Sequence, residues 1–520
     1  MNVSIINFLL ALSPIIAVLI LMVGFRWGGS RAGSVGWIVA FFVAIVFFGA
    51  NPSLLAYSQM RALLLTLYVL YVIWMSLILY NIVKEVGAIE VIGKGIIKIT
   101  SDRVLQLLVL SWVFSSFLQG VAGYGVPIAI VAPLLIGLGF SPITSVTAVA
   151  VGHAWSVTFG SIAASFNAMI ATSGLPGEYL ASWSAIFLGI VCFLCGIAAV
   201  YCYEGNKSVV RGFPAILIIG SVMSLTQYLM ATNGMWNIAA FVAGMAGLVA
   251  SVLVGRLKFY KNSYVQHTVE NDGGKQSQKK MPLAIAISAY VALIFIVGIA
   301  ELSPPVNSFL DSVKIEMVFP QTQTSLGWII EAGKGQTISI FGHPGALLIY
   351  TSVIAYIFYS YSGYMKKNMF KKVIQNTLKS GLTSSIGIVA MVGFAIIMEQ
   401  SGMTNVIASG LSRSVENIYP LMAPFIGVLG SFMTGSNTNS NVVFVLLQKQ
   451  TAELLKLSVP IILAAQTTGG SIGGMLAPAR IIVGCSTAGL SGQEGQVLRK
   501  TILFGVLITI VIGVLTLLLT

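Results

Sequence analysis

Apolar stretches follow one another along almost the whole chain, from residues 5–25 near one end to 502–519 near the other. A helix needs about 20 mostly apolar residues to cross the hydrocarbon core of a bilayer, and stretches of that length recur with only short polar breaks. Of 520 residues, 57% are hydrophobic and 8% charged, against about 25% charged in an ordinary soluble domain. So few charges cannot cover a water-soluble globule of this size, whereas lipid-facing positions need none. The chain reads as an all-α polytopic membrane protein with roughly 12 to 14 membrane segments. The stretch 5–25 has no basic region before it and is long enough to span, so it is expected to be the first membrane helix and not a cleaved leader.

The net charge of +13 is spread over loops between apolar runs, so orientation in the membrane explains it better than nucleic acid does. Segment 256–280 carries six Lys or Arg, and 362–380 carries five with no acid. Both are expected in the cytoplasm. The connection 301–337 holds four acids and two lysines and falls on the opposite face, one span away from each basic segment. Asn271, Asp272, Gly273 and Gly274 open a polar, aperiodic stretch expected to be a flexible linker. The expected division is a first membrane repeat at 1–255, a cytoplasmic basic linker at 256–281, and a second repeat at 282–520.

The two halves resemble each other. Ser-Phe-Leu-Gln-Gly at 116–120 matches Ser-Phe-Met-Thr-Gly at 431–435. After each comes a short apolar piece, then a Ser and Pro, then a long span interrupted by small and polar residues at 152–161 and 466–474. Polar, glycine-rich backbone at membrane depth is tolerated only where protein buries it or it lines a watery cavity. Paired interruptions in two repeats point to a transporter's binding site. The pieces 121–138 and 436–447 are too short and too rich in Gly or Asn for ordinary crossings, and read as re-entrant hairpins.

The second hairpin places Thr434, Ser436, Asn437, Thr438, Asn439, Ser440 and Asn441 in an otherwise apolar region. Their oxygens suit a hard cation; their amides and hydroxyls, with the amides of a helix N-terminus, suit a carboxylate. The alternative is an extramembrane turn before a capped helix. In the first hairpin, Gly120, Gly123 and Gly125, beside Gln119 and Tyr124, let backbone approach a ligand. The glycine spacing there is no nucleotide fingerprint, because no strand or βαβ unit surrounds it. Intramembrane ionisable groups are functional suspects. Arg480 supplies a fixed charge for a substrate carboxylate or snorkels to the interface. His153 is a proton carrier or a hydrogen-bonded packing residue. Glu399 marks an interface or couples an ion. His267 and His343 lie far from His153 in sequence, so no transition-metal site is expected. Cys192, Cys195, Cys202 and Cys485 read as small apolar helix residues. Neither a Walker-type loop nor a hydrolase motif is present, and no cofactor is expected.

These segments carry a resemblance: SFLQGVAGYGVPIAI at 116–130, LIGLGF at 135–140, Phe159-Gly160, GSFMTGSNTNSN at 430–441, TTGG at 467–470 and MLAP at 475–478. They resemble the lactate permease family, bacterial carriers of L-lactate and related 2-hydroxy monocarboxylates such as D-lactate and glycolate. The resemblance implies membership of the ion transporter superfamily, with inverted repeats, an elevator-like movement, a homodimer and proton symport. Ser436-Asn437-Thr438 also resembles a signature of sodium-coupled dicarboxylate carriers. The chain departs from the family pattern, which has Glu at Gln119, Asp at Asn437, Asn at His153 and Lys at Gly474. Amides do not titrate in the physiological range, so His153 is the expected proton carrier and Arg480 the relocated cation.

The expected function is a symporter, not an enzyme, in the cytoplasmic membrane, carrying a small carboxylate with H+ or, alternatively, Na+. Gly123, Tyr124, Asn437, Thr438, Asn441 and Arg480 are expected around the substrate. His153, Gln119, Ser436 and Asn439 are expected around the coupling ion.

Overall fold

The computed structural model describes residues 4–520 apart from 26, 98–99, 122, 124, 262–280, 416–417 and 491–492. Tyr124 and most of the expected linker therefore lie outside the described residues. Among these, nine helices are long and apolar enough to cross a membrane, or eleven if each sharply bent pair counts as one span. Four shorter apolar helices, Ile5–Val18, Ser30–Val46, Val126–Gly137 and Tyr419–Phe432, account for the higher number expected from hydropathy alone.

Both re-entrant hairpins are present. In the first, the helix Arg103–Val121 descends to a turn containing Gly123 and Gly125, and Val126–Gly137 returns. The Arg103 guanidinium donates to Leu138 O and lies 4.0 Å from the Phe140 ring centroid, so the two ends sit side by side. Asp102 caps the first helix at Leu105 N and pairs with Arg211 at 2.9 Å. Arg211 in turn covers Phe259, so this hairpin opens on the face that carries residues 256–261.

The second hairpin is the helix Tyr419–Thr434, a left-handed Gly435 at φ +70, which glycine adopts without a Cβ penalty, and the helix Asn437–Leu454 N-capped by Ser436. Its outer ends are joined by Tyr419, whose hydroxyl donates to Gln448 Oε1 at 2.7 Å. Lys449 Nζ donates to Ser173 O at 2.9 Å, at the far end of the broken span that begins beside Phe140. The hairpins thus enter from opposite faces, as inverted repeats require. The return arm is longer than its sequence suggested, because it continues to Leu454.

The first broken span behaves as expected: Pro142–Ser156 and Gly160–Ser173 meet at 50°. The second differs. Val459–Leu476 runs as one helix through the glycine-rich stretch, and the break falls after it, at Ala477 before Pro478. The glycines serve packing instead of breaking. A Cβ on Gly469 would lie 1.9 Å from Pro424 O, and one on Gly473 2.4 Å from Val428 O. Only a bare backbone lets this helix approach Tyr419–Thr434 so closely.

The helices sort into two groups by their packing. A core group, residues 103–261 and 419–520, holds both hairpins and both broken spans. A flanking group, residues 4–97 and 283–414, holds the long helices Pro52–Glu85 and Lys367–Gln400; the latter bends by 72° into Met403–Ser414. Each half of the chain supplies flanking helices first and core helices second. Where a span was expected to begin near residue 338, the chain instead completes an antiparallel ribbon pairing Lys314 with Ser339 and Gln323 with Ile329. The helix starts at Pro344. The ribbon buries Phe319 beneath Arg61 and caps the outer end of Pro52–Glu85 through Asn51 Nδ2 to Gln323 O at 3.0 Å.

Candidate functional site

The two hairpin tips meet the first broken span around a small polar cavity. Six of the expected site residues line it: Gln119, Gly123, Ser436, Asn437, Thr438 and Arg480, with Val157, Ser161, Ala164 and Ser165 completing the wall. Each comes from the core group.

The N-terminus of Asn437–Leu454 delivers Asn437 and Thr438 to the cavity, and its dipole favours a negative charge there. Arg480 is only 6% exposed. It stands in the first turn after the Ala477–Pro478 break, and its Nε donates to Gly435 O at 2.8 Å, so the guanidinium is tied to the hairpin tip. An anion in this cavity meets a buried guanidinium and a helix N-terminus together.

Beneath the cavity a hydrogen-bond network joins the two repeats. Asn437 Nδ2 donates to Thr158 Oγ1 and to Thr467 O, both at 3.1 Å, and Thr158 Oγ1 lies 2.7 Å from Ser471 Oγ. Asn441 Nδ2 donates to Ser165 O and to Thr467 Oγ1, both at 2.9 Å. Several buried oxygens here lack a donor: Gln119 Oε1, Asn437 Oδ1, Asn441 Oδ1, Ser431 Oγ and Thr468 Oγ1. Each such group costs about 1–3 kcal/mol while unsatisfied; the three amide oxygens only accept, whereas the two hydroxyls can also donate.

Other expected residues fall elsewhere. Asn441 lies one turn below the cavity, in the network. His153 ends the helix Pro142–Gly152, buried outside the cavity wall, with Nδ1 2.6 Å from Val149 O. A carbonyl only accepts, so Nδ1 carries the hydrogen and Nε2 is left to gain or lose a proton. Asn439 points away from the cavity into an apolar cleft between the groups, beside Ile15, Val18, Met391 and Phe394.

The sequence reading missed the contribution of the Gly160–Ser173 helix. Its first turn is left-handed at Ser161, Ile162 and Ala163, with φ of 50, 54 and 53. Such a run of non-glycine residues costs about 1–2 kcal/mol per residue, and here it presents Ser161 to the cavity. The only sequence signal was the hydroxyl-rich composition of the break.

A buried polar cavity between two opposed re-entrant hairpins and a broken span, carried whole by one helix group, defines a membrane carrier. A sequence profile described as L-lactate permease matches residues 7–520, and the chain belongs to that family. Glycolate permease GlcA of Escherichia coli K12 is 26% identical, covering 98% of this chain and 95% of its own. The L-lactate permease of Bacillus subtilis 168 is likewise 26% identical with the same coverage. That of Escherichia coli K12 is 24% identical, again over 98% and 95%. These relatives are permeases, and this protein is a multi-pass membrane carrier and not an enzyme. The crystal structure of the Alcanivorax borkumensis YdaH transporter is also similar, with a TM-score of 0.48 and 14% identity over 89% of this chain and 86% of that one.

Proposed function

We propose that the protein takes up L-lactate or a related small 2-hydroxy monocarboxylate, D-lactate or glycolate, with a proton, across the cytoplasmic membrane. One observation carries this reading: a single buried polar cavity pairs the Arg480 guanidinium with the N-terminus of Asn437–Leu454. The substrate carboxylate sits between Arg480 and the Asn437–Thr438 turn, with Gly123 allowing close approach from the first hairpin.

His153 carries the proton on Nε2. Because the cavity belongs wholly to the core group and the adjoining cleft is apolar, the core moves past the flanking helices with its cargo and alternates access between the two faces.

A second reading, coupling to sodium, is favoured by the neutral oxygens lacking donors. Asn437 Oδ1 and Ser431 Oγ flank Gly470, and such oxygens suit a hard monovalent cation. Counterflow distinguishes a lactate carrier from other carriers. Proteoliposomes loaded with unlabelled L-lactate should accumulate labelled L-lactate transiently, and glycolate inside should support the same exchange. Absence of exchange with either acid would defeat the substrate assignment.

A further inference from the structure

The helix Lys367–Gln400 turns one face outward, and that face changes character along its length. Leu378, Leu382, Ile386 and Val389, spaced by three and four residues, are 44–57% exposed. Positions three and four apart share one side of a helix, and an exposed apolar stripe on a membrane protein meets lipid. Toward the N-terminus the same stripe continues with exposed Gln375, Lys372 and Lys371.

The packed side fixes this orientation. Val373 and Thr377 are buried, Thr377 Oγ1 accepts from Asn81 Nδ2 at 3.0 Å, and Asn376 Nδ2 donates to Glu85 Oε1 at 3.0 Å. Both partners belong to Pro52–Glu85, so the lysines are held outward. A second neighbour sets their depth. The Phe370 ring centroid lies 5.1 Å from that of Tyr356, in the membrane-length helix Pro344–Tyr361. There the next residues, Ile357 and Phe358, are exposed and apolar, and Tyr361 at the end is 94% exposed. Lys371 and Lys372 directly follow Phe370, so they stand where lipid-facing apolar side chains give way to the aromatic residues typical of a membrane interface.

Nothing in the neighbouring chain neutralises these charges. Segment 362–380 holds five lysines and no acid, and Lys371 and Lys372 take part in no ion pair among the described residues. The start of the helix adds about half a positive charge of its own. We infer that Lys371 and Lys372 form a docking surface for the headgroups of anionic phospholipids. Charge complementarity and depth select this occupant: the ammonium groups meet the phosphates while Leu378 and Leu382 meet the acyl chains of the same lipids. The surface belongs to the flanking group, so it ties to the bilayer the part of the protein that holds neither hairpin.

The test follows thermal unfolding of the purified protein in detergent micelles. Phosphatidylglycerol, or phosphatidylcholine with the same acyl chains, is added in increasing mole fraction. Wild-type protein should gain stability from the anionic lipid at a lower mole fraction than from the zwitterionic one. In the double variant Lys371→Gln, Lys372→Gln, the mole fraction of phosphatidylglycerol giving half the gain should rise about fivefold for each lysine lost. Its response to phosphatidylcholine should stay unchanged, and Lys371→Arg with Lys372→Arg should behave as wild type. Both positions are exposed, so these substitutions leave the packing intact. Wild-type protein indifferent to headgroup charge, or a glutamine variant with the wild-type phosphatidylglycerol curve, overturns the surface and leaves this face to acyl chains alone or to a second copy of the chain. Soluble glycerol 3-phosphate that reproduces the phosphatidylglycerol shift overturns it equally, because the site would then bind an ion without a lipid. The readout needs no transport, so its outcome is separate from that of the substrate reading.

Discussion

Replacing Arg480 with Gln removes the fixed charge at the carboxylate position while keeping a polar side chain. At 6% exposure the guanidinium is shielded from water, so its pairing with a carboxylate is worth about 1.5–3 kcal/mol as a charge-assisted hydrogen bond. At about 1.4 kcal/mol per tenfold, the KM for L-lactate should rise about 10- to 100-fold. The residue also holds the hairpin tip through Nε to Gly435 O at 2.8 Å, a contact worth about 1 kcal/mol of stability. A modest fall in Tm therefore accompanies the kinetic effect. Arg480→Lys keeps the charge but loses the planar fork and the Nε donor, and should fall between Gln and wild type. The assay is initial-rate uptake of labelled L-lactate over a wide concentration range, with Tm measured on the same preparations. An Arg480→Gln protein that folds normally and transports with unchanged KM would refute the assignment of the carboxylate to this site.

Gly470→Ala places a Cβ 1.9 Å from Asn437 Oδ1, forcing Asn437 out of its bonds to Thr158 and Thr467. Overpacking of about 1–3 kcal/mol and two lost hydrogen bonds of about 1 kcal/mol each should lower Tm and weaken lactate binding. Gly137→Ala, where a Cβ meets nothing within 4 Å, should leave both unchanged. On the outer ribbon, burial alone would raise the Asp311 pKa, but hydrogen bonds from Lys314 and Ser339 outweigh it and hold the carboxyl below its ordinary value. Such a group stabilises the fold above its unfolded pKa and loses that contribution as pH falls through the lower folded value. Protection factors for hydrogen exchange across the Lys314–Ser339 ladder, corrected for the intrinsic rate at each pH, should therefore fall on acidification, and Asp311→Asn should remove that pH dependence.

The hairpins and the first broken span were legible in the sequence because their signals are local: apolar length, a left-handed glycine, a capping Ser and a Pro at the helix start. The glycines at 469–474 misled because glycine has two uses. It interrupts a helix, but it also permits close approach, and only the neighbouring Pro424 and Val428 carbonyls decide between them. Asn439 was expected with Ser436 at the coupling ion, in the same hairpin as Asn437, yet residues two apart on a helix face away from each other while those four apart share a side. Asn437 and Asn441 thus reach one network and Asn439 the apolar cleft. The division into core and flanking groups, and the left-handed turn at Ser161, rest on contacts between distant segments that no local pattern encodes.

The central claim is uptake of a small 2-hydroxy monocarboxylate coupled to a proton, and gradient-driven uptake tests it most directly. Labelled L-lactate is offered to proteoliposomes under an inward proton gradient and, separately, under an inward sodium gradient. The account predicts accumulation with the proton gradient, little with sodium, and loss of proton-driven accumulation in His153→Asn. Accumulation driven by sodium alone would contradict proton coupling, and no accumulation under either gradient would contradict the carrier assignment for lactate itself.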